Sequence, residues 1–63
     1  MPLDFTHTLL TIDEAARYLR FYRSSIYRFM NEDSSFPRPV RIGKSLRFVA
    51  AELDAWVISR RED

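Results

Sequence analysis

Apolar positions recur at helical spacing in three stretches of this chain and alternate in one. Ile12, Ala15, Ala16 and Leu19 follow an i, i+3, i+4, i+7 stripe. Thr11-Ile12-Asp13-Glu14 reads as a capping box, in which the Thr11 hydroxyl accepts from the Glu14 amide and the Glu14 carboxylate reaches back to the Thr11 amide. A first helix therefore starts here and ends near Leu19 or Arg20, with two central alanines that let a neighbouring helix approach closely. A second stripe, Ile26, Phe29 and Met30, begins after only Arg20 to Tyr22, a span that allows no more than a tight turn. Two short helices joined in this way predict a helix-turn-helix.

The pattern then changes. Phe36-Pro37-Arg38-Pro39 cannot continue a helix, because each proline lacks an amide hydrogen and holds its predecessor extended. Val40 and Ile42 alternate with Arg41, and Leu46 and Phe48 with Arg47, on either side of Gly43-Lys44-Ser45. That predicts a hairpin with a three-residue tip, its apolar face inward and Arg41, Lys44, Ser45 and Arg47 outward. A last helix is expected from about Ala50 to Arg60, with Leu53, Trp56 and Val57 on its inward stripe and no side-chain acceptor at Val49 to cap it. Leu9 and Leu10 read as a short extended lead-in against the core, and Met1 to Thr8 as a mobile end. The predicted fold is mainly α with a small β-hairpin: a winged helix-turn-helix of three helices, with a two-stranded wing between the second and third, over residues 9–61.

Composition narrows the function. Sixty-three residues make one small domain without room for a deep catalytic cleft, and no cysteine is present to form a disulfide or a thiolate metal site. His7 alone cannot build a zinc site, so neither metal nor cofactor is expected. Ser24-Ser25 has no histidine or carboxylate at a spacing that would activate a nucleophile, which argues against an enzyme. No apolar run approaches the roughly 20 residues that span a bilayer, and the first ten residues lack the features of a signal peptide. A soluble protein of the cytoplasm is the expectation.

Charge changes the picture further. Between Arg17 and Arg47 eight cations face only Glu32 and Asp33, a local charge of +6 inside a chain whose formal net charge is +1. Residues 1–16 carry −3 and residues 48–63 carry −2. Such a concentration suits a polyanion, because neutralising phosphates releases condensed counterions. Opposite the second apolar stripe lie Ser24, Arg28 and Asn31, with Tyr27 on the flank and Arg23 in the first turn. In a major groove, Arg28 and Ser24 would meet base edges, Arg23 and Tyr27 bases or phosphate, and Ser25 a phosphate at the helix start. Lys44 and Arg47 at the wing would meet the backbone or an adjacent narrow minor groove.

The run Ile12 to Met30, the Phe36-Pro37-Arg38-Pro39-Val40 segment, Gly43-Lys44-Ser45-Leu46-Arg47-Phe48 and Glu52-Leu53-Asp54-Ala55-Trp56 together resemble the AlpA family of small phage regulators. The likeness covers about positions 9 to 60, and Ser24-Ser25-Ile26-Tyr27-Arg28 falls on that family's recognition-helix motif. The resemblance implies a MerR-like winged helix, sequence-specific binding of double-stranded DNA, and service as a transcriptional regulator or as an excisionase directing recombination of a prophage. An integrase or RNA polymerase would then be a protein partner, and the small size of the domain points to self-association on DNA. Two positions depart from the family pattern: Arg20 stands where it usually has Gly, and Tyr22 where it has a capping Ser. Both departures add groups that can touch phosphate beside the DNA face. The alternative from another class is a protein-binding adaptor that holds its partner through the acidic ends or the region around Ile58, without touching DNA. Arg60 and Arg61 read as helix-end charges rather than DNA ligands.

Overall fold

The computed structural model describes residues 8–61. In chain order these form β1 (Leu9–Leu10), α1 (Ile12–Leu19), α2 (Arg23–Glu32), β2 (Val40–Ile42), β3 (Ser45–Val49) and α3 (Ala50–Ser59). Three helices and a small antiparallel hairpin make the mainly α, winged-helix arrangement expected from the sequence. The lead-in is a strand: Leu9 pairs with Val49 and Leu10 with Phe48, giving a three-stranded sheet in the order β1-β3-β2. Of the end expected to be mobile, residues 1–7 lie outside the described residues, whereas the Thr8 carbonyl accepts from the Ala50 amide at 2.9 Å.

The capping box opens α1 as predicted. The Thr11 hydroxyl accepts from the Glu14 amide at 3.1 Å, and Glu14 Oε1 accepts from the Thr11 amide at 2.8 Å. That backbone hydrogen bond is the main cause holding the Glu14 carboxyl below its ordinary range, with the Arg17 and Arg47 charges adding to it. At the other end Arg20 takes φ 62, ψ 41, in the left-handed region. Its amide donates to the Arg17 carbonyl at 3.1 Å and the Phe21 amide to the Ala16 carbonyl at 2.8 Å, the paired bonds of a Schellman motif. The chain thus reverses into α2 without a glycine, at a strain cost of about 1 kcal/mol.

Ala15, Ile26, Phe48 and Leu53 are the most deeply buried side chains, and Ala16, Phe36 and Trp56 complete the core. Burial of a residue of Ile, Leu or Phe size contributes about 1.5–3 kcal/mol. Phe29 and Phe36 approach the Trp56 ring to 5.2 and 4.9 Å between centroids, and Phe36 meets Phe48 at 5.9 Å. The loop after α2 is fastened to α3 through Asp33. Its Oδ1 accepts from the Ser35 amide and hydroxyl, while Oδ2 accepts from Trp56 Nε1 at 3.4 Å and pairs with the Arg60 guanidinium. Arg60, expected as a helix-end charge, also lies over the Trp56 ring at 5.6 Å and so clamps the loop.

Two expectations are corrected. The hairpin tip has two residues, Gly43 and Lys44: Ile42 pairs with Ser45, Arg41 with Leu46 and Val40 with Arg47. Gly43 takes φ 61 and Lys44 has no positive φ, which fits the II′ turn that matches strand twist. One residue fewer in the tip shifts the register, so Val40 and Ile42 share a face with Ser45 and Arg47, and Arg41 shares one with Leu46. The expected inward apolar face is therefore not formed: Val40, Ile42 and Leu46 are exposed, and only Phe48 of the four is buried. Second, Val57 is exposed, because α3 presents Ala50, Leu53 and Trp56 to the core instead. The span of α3 itself is close to that expected, from Ala50 to Ser59 with Arg60 as its cap. As expected, Val49 gives no side-chain cap.

Candidate nucleic-acid interface

With Ile26 buried and Phe29 and Met30 half-buried against the core, α2 must turn its opposite side outward. Arg23, Ser24, Tyr27, Arg28 and Asn31 are all exposed there, and Ser25 is half-buried. Tyr22, the N-cap, makes no side-chain capping bond and is 83% exposed; Arg20, two residues earlier, is exposed as well. Arg28 carries its guanidinium over the Phe29 ring, 5.7 Å from the centroid.

Arg23 is the most constrained cation of this face. One terminal nitrogen lies 3.4 Å from Asp13 Oδ1 on α1, the other donates to the Tyr27 hydroxyl at 3.5 Å, and the guanidinium sits 5.9 Å from the Tyr27 ring centroid. The Tyr27 hydrogen bond first, and the Asp13 charge second, raise the Arg23 pKa above its ordinary value. Across from it stands the wing. Arg23 and Tyr27 of α2 line one cleft of about 280 Å³ together with Lys44, Leu46 and Arg47. Arg47 is half-buried and donates from Nη1 to the Leu46 carbonyl at 2.8 Å.

The fold thus gathers Arg23, Tyr27, Lys44 and Arg47 around one concavity and keeps Ser24 and Arg28 on the exposed side of α2. Ser45 lies on the Arg47 face of the ribbon. Arg41 is the exception: the two-residue tip puts it on the opposite face from Arg47, so the expected common outer row of wing cations is divided. Asp13 is a member of this surface that sequence reasoning missed. An acid in the first turn of a helix is already explained by the helix dipole, and nothing in the spacing shows that it reaches Arg23.

Elsewhere, the Tyr18 hydroxyl donates to Asp54 Oδ1 at 2.6 Å, a bond that raises the Tyr18 pKa, beside a groove also lined by Leu19, Val57 and Ile58. Among the described residues no group of three or more His, Cys, Asp or Glu is placed to hold a metal ion, and no helix is long and apolar enough to cross a membrane.

Compared with curated proteins and with solved structures, the chain has no match in either. The profile of the family described as "Prophage CP4-57 regulatory protein (AlpA)" matches residues 8–61, from the strand that seals the sheet to the end of α3. A winged helix, a basic cleft between its second helix and its wing, and a family match over nearly the whole chain converge: the protein belongs to the AlpA family of small phage-associated DNA-binding regulators.

Proposed function

We propose that the protein binds double-stranded DNA sequence-specifically, with α2 in the major groove and the wing on the adjacent backbone or minor groove, as in MerR-like winged helices. The observation that carries this is the shared cleft of Arg23 and Tyr27 with Lys44 and Arg47, which joins cations of two separate elements on one surface. Arg28 and Ser24 read base edges, Arg28 by the bidentate pairing an arginine makes with guanine. Arg23, Tyr27 and Ser25 hold the helix in register on phosphate or base, and Arg20 and Tyr22 extend that contact at the turn. Lys44, Ser45 and Arg47 grip the backbone from the wing, with Arg41 reaching it from the other face of the ribbon.

The protein works by binding, without cofactor or catalysis, in the cytoplasm and on the nucleoid. Its regulatory output is control of a promoter or, with an integrase, excisive recombination of a prophage. So small a monomer covers few base pairs, so dimers or arrays on DNA supply the specificity. Chemical-shift mapping with a duplex enriched from random-sequence DNA tests the assignment. Amides of residues 20–28 and 41–47 are expected to move together. Shifts confined to Tyr18, Asp54 and Ile58 would support a protein-binding adaptor instead.

A further inference from the structure

The hairpin register leaves an apolar stripe about half open to solvent. Val40 is 42% and Ile42 53% exposed, on the ribbon face that also bears Ser45 and Arg47. The ribbon's own charge is of one sign: from Ser34 to Ala51 the charged residues are Arg38, Arg41, Lys44 and Arg47, and the nearby acids Asp13 and Glu14 belong to α1. Two such wings would repel each other, so a second copy of this face is a poor occupant, whereas a polyanion with an apolar interior suits both the charge and the stripe. Stacked bases between two phosphate backbones have that make-up.

Geometry narrows the place. The tip stands clear: a methyl group added at Gly43 would find no heavy atom within 4 Å. Lys44 and Arg47 line the cleft shared with α2, so when α2 occupies a major groove the tip lies over the flanking minor groove. That groove is about 6 Å wide in B-DNA, and paired strands are themselves about 4.8 Å apart before side chains are counted. The ribbon enters only if the groove opens, and an apolar side chain next to the tip then meets the edge of a base step. We infer that Ile42, backed by Val40, is an apolar wedge that unstacks a minor-groove base step and kinks the duplex, while Lys44 and Arg47 hold the phosphates beside it. The inference rests on the DNA-binding function proposed above.

The test uses the full chain and a duplex of about 30 base pairs enriched from a random-sequence pool, labelled at its ends for energy transfer. A parallel series carries 2-aminopurine at successive positions beside the α2 site. Wild type is expected to draw the ends together and to brighten 2-aminopurine at one step. Ile42→Ser, at an exposed position, is expected to melt like wild type and keep its salt dependence, yet lose both signals; Ile42→Leu retains them. Equal bending and brightening by Ile42→Ser, or binding by wild type without either signal, overturns the wedge and leaves the α2 contact standing. Absence of wild-type binding to any enriched duplex overturns the wedge and the DNA-binding function together.

Discussion

Asp13, in the first turn of α1, lies 3.4 Å from the guanidinium of Arg23 at the start of α2. The pair ties together the two helices of the helix-turn-helix, but both side chains are more than half exposed. Its stabilising effect is accordingly small. Its larger effect is on the charge that α2 offers to a ligand, since one of the cations facing the cleft is already partly neutralised.

Asp13→Asn is therefore expected to leave the melting temperature almost unchanged and to tighten DNA binding by up to about fivefold at low salt. Fluorescence anisotropy at two ionic strengths checks this. Equal or weaker affinity would mean that Asp13 serves DNA binding by holding Arg23 in place.

Arg28 and Lys44 are expected to fail differently. Arg28→Ala should reduce discrimination between target and unrelated duplex by about 1–3 kcal/mol, whereas Lys44→Ala should weaken both alike and lower the log-log salt slope by about 1. Competition binding against the enriched duplex measures the ratio. If Arg28→Ala preserves it, base readout lies elsewhere on α2.

Arg20 couples stability and binding with opposite signs. Its left-handed φ of 62 is one that glycine adopts without strain, so Arg20→Gly is expected to stabilise the fold by up to about 1 kcal/mol. In a domain of this size that corresponds to roughly 4–8 °C in melting temperature. The same change removes a cation beside α2 and should weaken DNA binding, which thermal melts and anisotropy on one sample resolve.

Acid should undo the capping box. The folded Glu14 carboxyl titrates below its ordinary value of 4.5, chiefly because it accepts from the Thr11 amide. The native state then binds fewer protons than the unfolded chain in this range, so the contribution is fully present above about 4.5 and is lost as pH falls through the folded value. Glu14→Gln is expected to melt lower than wild type at neutral pH and to show a shallower decline below pH 4.5. Parallel slopes in melts across that range would remove Glu14 from the acid response.

What could be foreseen from the chain was what short-range chemistry decides. The capping box, the stripe from Ile12 to Leu19 and the outward set Ser24, Arg28 and Asn31 each depend on residues within two turns, and all appear as expected. The hairpin did not, because alternation alone favours the three-residue tip that would put Val40, Ile42, Leu46 and Phe48 on one side. That preference has force only where a core exists to receive them, and only Phe48 is buried there; along the rest of the ribbon the turn chemistry of Gly43 decides. The links Asp13 to Arg23, Tyr18 to Asp54 and Asp33 to Arg60 join residues 10, 36 and 27 positions apart, and no local pattern announces them.

The aromatic cluster at the junction of the loop and α3 has a practical consequence. Its indole is the chain's single tryptophan, enclosed by Phe29 and Phe36 and bonded to Asp33. Tryptophan emission, excited selectively over the three tyrosines, therefore reports on one spot only, and a red shift in any variant signals that α3 has come away from the loop, before a dye or tag is ever added.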